Sequence, residues 1–176
     1  MRIYIVGYMG AGKSTTAKRL AHRLGLDCYD TDRLFEEKYR ISVNDFFHKY
    51  DENLYRKLET LILQSTEQYE NAVIATGGGT ACFNDNMNWM NHHGITVFLK
   101  VSPLTSYNRL LHSKVKRPLA IDKSPEELLE FINTNYTARM SYYEQAQIVV
   151  KGENLDLELL INAINGFNAP ASVPTA

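Results

Sequence analysis

Apolar residues in this chain fall into short dense blocks, separated by longer stretches where they recur every three or four positions. RIYIVG opens the chain as a β-branched block closed by glycine, the pattern of a buried strand. Residues 13–24 place Ala17, Leu20, Ala21 and Leu24 on one helical face, and Gly25 ends the period. LDCYD predicts a second short strand, and Thr31 begins another helix. From Ser42 to Gln68 the pattern is helical twice, with a break near Asp51. AVIAT predicts a third strand that runs into Gly77-Gly78-Gly79. A helix over 84–90, the strand ITVFLKV, and a helix from Ser102 or Pro103 to Leu111 come next. HSKVKRPLA has no clear period, and Pro118 breaks any helix there. Ser124-Pro125-Glu126-Glu127 is a strong helix start, with proline in the first turn and acids beside the positive helix end; that helix is expected to reach Gln145. QIVV predicts a fifth strand and LDLELLINAI a last helix. Residues 167–176 read as a disordered tail.

Five strands alternating with helices imply an α/β fold of three layers, a parallel sheet with helices on both faces. There is no internal repeat, and residues 1–166 read as one domain. Ligands of such sheets sit beyond the carboxyl ends of the strands. Three stretches fall there: residues 7–14, 30–32 and 77–79.

Charge narrows the range of partners. Twenty acidic residues against 19 basic ones leave a net charge of −1, which argues against nucleic-acid binding. Cys28 and Cys82 have no metal-site spacing, and Cys28, inside LDCYD, is expected to be a buried free thiol. The first residues run straight into a strand without a signal-type apolar stretch, and no apolar run approaches membrane-spanning length. A cytoplasmic protein without a membrane partner is the expectation.

The candidate chemistry begins at GYMGAGKS. Gly7, four residues, then Gly12-Lys13-Ser14 is the phosphate-loop signature. Its glycines let backbone N–H groups turn inward as an anion nest, and the following helix adds its positive end. Lys13 reaches the outer phosphates and Ser14 can ligate Mg²⁺. Neither AVIAT nor ITVFLKV ends in a carboxylate for the metal, so Asp30 and Asp32 are the substitutes. Two apart in an extended segment, they would point the same way, one toward the metal through water and one toward a substrate hydroxyl. Read alone, Asp32 could equally cap the next helix. Three glycines after a buried strand suggest backbone close to a ligand. Arg56 and Arg139 read alone are surface ion pairs, Arg56 with Glu52 or Glu59 at helical spacing; read functionally, they grip an anionic substrate. His112, Lys114, Lys116 and Arg117 form a basic stretch, either a solvated loop or a lid closing over the nucleotide.

Taken in order, GYMGAGKST, Asp30-Thr31-Asp32, YRKLE at 55–59, Gly77–Gly79, Arg117-Pro118-Leu119 and Arg139-x-x-x-Tyr143-Glu144 resemble the shikimate kinase family over about residues 3–150. The resemblance implies the P-loop kinase fold of the nucleoside-monophosphate kinases, with five parallel strands. It implies transfer of phosphate from ATP to the 3-hydroxyl of shikimate, in aromatic amino-acid biosynthesis. Carried onto this chain, Gly10, Ala11, Gly12, Lys13, Ser14 and Thr15 would hold the ATP phosphates. Ser14 would ligate Mg²⁺ with Asp30 assisting through water. Asp32 would bind the substrate hydroxyls and orient or deprotonate the attacking one. Arg56 and Arg139 would pair with the carboxylate, and Gly77, Gly78 and Gly79 would line the substrate site. Arg117, on a lid spanning about residues 112–124, would reach the ATP phosphates and complete the catalytic set with Lys13 and Asp32. Arg109 would lie near the adenine, and Asn154, after the last strand, on its other side. Two departures stand out: Tyr55 replaces a more usual Phe, and the lid tip is rich in lysine rather than glycine. A monomer is expected. The neighbouring alternatives are a related small-molecule kinase such as gluconate kinase, or a nucleotide-binding protein without catalysis. The Asn-Lys-x-Asp segment of guanine-reading switches is not in the sequence.

Overall fold

The computed structural model describes residues 1–113 and 123–168. Its strands are β1 (Arg2–Val6), β2 (Asp27–Asp30), β3 (Ala72–Ala75), β4 (Ile95–Lys100) and β5 (Ile148–Lys151). All pair in parallel, in the order β2-β3-β1-β4-β5. The chain first moves outward to β2 and back to β3, then crosses to β4 and β5. The carboxyl end of β1, between β3 and β4, is therefore the switch point where such sheets bind ligands.

Alternation along each strand builds two cores. Ile3 and Ile5 pack on one face with Leu20, Val73, Val97, Leu160 and Ile164. Tyr4 and Val6 pack on the other with Ile74, Met87, Phe98 and Tyr143. Each fully buried aliphatic side chain contributes about 1.5–3 kcal/mol. Helices α1 (Lys13–Leu24), α2 (Thr31–Tyr39), α3 (Val43–Lys49), α4 (Glu52–Ser65), α5 (Asn86–His93), α6 (Pro103–Leu111), α7 (Pro125–Tyr143) and α8 (Leu157–Asn168) surround the sheet. A third cluster, Phe35, Phe46, Tyr55 and Ile62, joins α2, α3 and α4 into a unit beside the sheet. Side chains cap most helix starts: Asp30 for α2, Ser42 for α3, Asp51 for α4, Ser102 for α6, and Ser124 for α7, the last in a reciprocal box with Glu127. Each such cap is worth about 1 kcal/mol.

Several expectations shift. Both cysteines are free, but Cys28 is exposed rather than buried, because β2 is an edge strand. Helix α5 starts at Asn86 instead of residue 84, since Asn84 and Asp85 take left-handed backbone angles (φ 50° and 57°). Helix α7 stops at Tyr143, two residues short of the expected end. Phe167 and Asn168 belong to α8, not to a tail. The rest of that tail, and the lid segment with Lys114, Lys116, Arg117 and Pro118, lie outside the described residues. Among the described residues no helix is long and apolar enough to cross a membrane.

Candidate active site

The loop after β1 turns tightly, with Ala11 N–H donating to the Tyr8 carbonyl at 3.1 Å. Gly12 has φ 96°, a left-handed angle that glycine adopts at little cost, and it starts α1 without a side-chain cap. The first N–H groups of α1 are thus left for an anion, unlike those of α2, α3, α4, α6 and α7. Lys13 is buried, its Nζ donating to the carbonyls of Gly7 at 2.8 Å and Tyr8 at 3.1 Å. Arg109 braces the loop from outside, Nη1 donating to the carbonyls of Gly10 and Ala11 at 3.0 and 2.9 Å. Gly10, Gly12, Lys13, Ser14, Thr15, Asp30, Asp32, Gly78 and Arg109 line a polar cavity of about 250 Å³ at the carboxyl end of the sheet.

Asp30 has two tasks there. Its Oδ1 accepts from Asp32 N–H at 3.1 Å and caps α2, and its Oδ2 accepts from Ser14 Oγ at 2.6 Å. The cap is therefore Asp30, not Asp32. Asp32 is the second residue of α2, so the extended two-apart geometry expected for the pair does not hold. The start of the helix, rather than strand pleating, turns both carboxylates toward one cavity.

A second, narrower cavity of about 70 Å³ adjoins the first. Its lining comes from α2 (Asp32), α3 (Val43, Phe47), α4 (Tyr55, Arg56, Glu59), the turn after β3 (Gly77, Gly78, Gly79) and α7 (Arg139). Met9, Asp32 and Gly78 line both cavities. The glycines are needed for space. A Cβ on Gly79 would sit 2.8 Å from Nη1 and Nη2 of Arg56; one on Gly77 would sit 2.8 Å from Glu59 Oε1 and 3.0 Å from Asp32 Oδ1. The backbone that was expected to approach a ligand first makes room for the chain's own charged groups.

Arg56 and Arg139 are both buried. Arg56 does pair with Glu52 and Glu59, but its guanidinium is buried; only the Glu59 pair lies inside the protein, and Glu52 is half exposed. Its Nη1 donates to Glu59 Oε2 at 2.8 Å, and its Nε and Nη2 donate to Glu52 Oε1 at 3.1 and 2.9 Å. Phe83 stacks beneath its guanidinium, 4.1 Å from ring centroid to Cζ. Burial works against this charge, but the Glu59 carboxylate and the bonds to Glu59 and Glu52 outweigh it, holding the Arg56 pKa above its ordinary value. Arg139 forms no ion pair among the described residues, contrary to the surface-pair alternative; it lies 5.9 Å from the Tyr8 ring. A desolvated guanidinium without a carboxylate suits an incoming anion.

Two supporting residues carried no functional role in the sequence reading, where Glu59 stood only as a surface partner of Arg56 and Tyr143 only inside a quoted motif. Glu59 is buried and accepts from Arg56, from Thr80 Oγ1 at 2.6 Å and from the Tyr55 hydroxyl at 3.5 Å. Its three-residue spacing from Arg56 was the available signal. The Tyr55 hydroxyl, absent from phenylalanine, is thus absorbed, and burial pushes its pKa far up. Tyr143 donates its hydroxyl to the Gly78 carbonyl, tying α7 to the glycine turn. Asn154 (φ 54°) lies in the turn after β5 and lines neither cavity; the neighbouring Glu153 anchors that turn by accepting from Ser102 N–H at 2.7 Å.

Comparison with known proteins decides the family. The shikimate kinase family model matches residues 9–165. The chain belongs to the shikimate kinase family. It is 40% identical over 162 residues to the shikimate kinase of Phocaeicola vulgatus, covering 92% of this chain and 93% of that protein. The crystal structure of shikimate kinase from Bacteroides thetaiotaomicron matches with a TM-score of 0.84 and 37% identity, over 95% of this chain and 96% of the other. Shikimate kinase from Acinetobacter baumannii, in complex with shikimate, matches with a TM-score of 0.84 and 28% identity, over 96% of this chain and 95% of the other. Shikimate kinases are ATP-using phosphotransferases, and this chain has their P-loop kinase fold.

Proposed function

We propose that this chain transfers the γ-phosphoryl group of ATP to the 3-hydroxyl of shikimate, and that its two adjoining cavities hold the two substrates. The observation that carries this reading is the shared wall. Asp32 borders both the phosphate-loop cavity and the cavity with the two buried arginines. The loop at 10–15 cradles the triphosphate, with Lys13 against the charge that develops during transfer. Arg56 and Arg139 take the substrate carboxylate at the far end of the narrower cavity. Asp32 accepts a hydrogen bond from the attacking hydroxyl and takes its proton. Because phosphoryl transfer passes through a loose transition state, this orientation matters more than strong deprotonation.

Mg²⁺ fits the donor set. Ser14 Oγ and Asp30 Oδ2 are hard oxygens in mutual contact at 2.6 Å, beside the phosphate loop. Among the described residues no group of three or more His, Cys, Asp or Glu forms a metal cage. Mg²⁺ needs none, since it keeps waters and borrows phosphate oxygens. Ser14 would hold it directly and Asp30 through water. Bound there, the ion neutralises charge on the β- and γ-phosphates.

The same reading takes residues 1–166 as one kinase domain, with a lid over about 112–124 whose Arg117 closes on the phosphates. Arg109 and Asn154 flank the adenine. The protein works as a cytoplasmic monomer. The decisive assay is ADP release with ATP and Mg²⁺, comparing shikimate, gluconate, a nucleoside monophosphate and no acceptor. Release dependent on shikimate alone is expected. Release with gluconate instead would overturn the assignment of Arg56 and Arg139, and no release with any acceptor would leave only nucleotide binding.

A further inference from the structure

Two carboxylates of different kinds hold Arg56. Glu59 is 4% exposed in its side chain and also accepts from Thr80, so it is fixed. Glu52 is 46% exposed, and its Oε1 accepts from Arg56 Nε and Nη2. That Nε–Nη2 edge is one on which a guanidinium grips a carboxylate as a fork. On the proposed reading of Arg56, Glu52 therefore occupies an edge that a substrate carboxylate would use.

Charge balance gives this contact a consequence. Among the described residues, Arg56 and Arg139 supply two positive charges in the lining of the narrow cavity and Asp32 and Glu59 two negative ones; Glu52, outside the lining, adds a third through its bonds to Arg56. An anionic substrate would thus enter a site with net negative charge. If Glu52 swings into water, the count becomes even. The move costs less than freeing Glu59 would, because the half-exposed Glu52 carboxylate regains water, although Arg56 itself is buried. Glu52 also has a favourable alternative position, since it is the first residue of α4, beside the positive helix end. Glu59 has no such route: leaving would strand buried hydrogen-bond donors.

We infer that Glu52 is a built-in competitor for the substrate's carboxylate, seated on the Nε–Nη2 edge of Arg56 and displaced as the acid binds. It sets affinity for the acid without touching the reacting atoms. The inference rests on the reading of Arg56 as the carboxylate-binding residue, and the two can fail separately.

The test compares Glu52→Gln, Glu52→Asp and Arg56→Ala in the full chain, measuring kcat and the KM values for shikimate and ATP. Gln weakens the seat. Asp keeps the charge in the first turn of α4 but is a methylene too short to reach the guanidinium. Both variants are expected to lower the shikimate KM by about two- to fivefold, with kcat and the ATP KM unchanged. An unchanged or raised shikimate KM in both would overturn the inference and make Glu52 a support for Arg56. A fall with Gln but not with Asp would also overturn it, because long-range charge would then suffice. If Arg56→Ala left the shikimate KM unchanged, the carboxylate reading itself would fall, and the competitor with it.

Discussion

The two adjoining cavities are built in opposite ways. The phosphate-loop cavity is centred on one contiguous stretch, the loop and uncapped helix start at 9–15, braced by Lys13 and Arg109 and flanked by Asp30, Asp32 and Gly78. The narrow cavity draws on six separate segments, mostly through side chains, held by ion pairs and hydrogen bonds around Arg56, Glu59 and Tyr143. On the proposed reading the first takes a generic anion, whose charge any nucleotide shares, and the second, which needs particular groups at particular places, would carry the specificity. The cost of that specificity is burial. Charges in the narrow cavity depend on each other, whereas the loop depends mostly on its own hydrogen bonds.

The largest expected effects test that dependence. Arg56→Ala should weaken shikimate binding by about 2–5 kcal/mol. It should also destabilise the fold by about 3–5 kcal/mol, because Glu59 is left buried and unpaired. Arg139→Ala should weaken shikimate binding similarly but lower the melting temperature less, since no carboxylate among the described residues is stranded. Shikimate and ATP KM values, read beside thermal melts, separate the two effects. Equal loss of both substrates would break the division between the cavities. Lys13→Met belongs to the other side: kcat should fall about 10²–10³-fold while shikimate still binds, as a titration with shikimate would report.

A pair of glycine variants sharpens the contrast. Gly79→Ala places a methyl 2.8 Å from an Arg56 guanidinium pinned by two carboxylates. The shikimate KM should rise about tenfold, near 1.4 kcal/mol, with the ATP KM kept. Gly12→Ala forces a left-handed angle at φ 96°, costing about 1–2 kcal/mol, and should raise the ATP KM instead.

One effect seen only at alkaline pH lies where the regions meet. Tyr8 belongs to the phosphate loop, lies beside Arg139 and is fully buried, with no hydrogen-bond partner for its hydroxyl among the described residues. Burial pushes its pKa up to about 12. The unfolded chain ionises this phenol near pH 10, so between about pH 10 and 12 the folded state binds more protons. Stability must therefore fall as pH rises through that window, by up to about 1.4 kcal/mol per pH unit from this group. Urea midpoints above and below about pH 10 should show the slope, and Tyr8→Phe should reduce it.

The sequence by itself determined whatever depends on neighbours in the chain. Strand blocks, helix periods and caps follow from local spacing, so the five-stranded α/β fold was legible, and so was the loop at Gly7–Ser14. It also named Asp30, Asp32, Arg56, Gly77–Gly79 and Arg139, because their motifs keep a distinctive order. Only the tertiary structure decided how those residues meet. That Asp30 rather than Asp32 is the cap depends on where β2 ends and α2 begins. That Cys28 is exposed depends on β2 being an edge strand. That the glycine turn spares room for Arg56 and Glu59 depends on α4 packing beside the turn that follows β3. Burial and pairing across such distances are properties of the packed chain. A residue's immediate neighbours set its local conformation, but the charge around Arg56 is set by groups that only folding brings together.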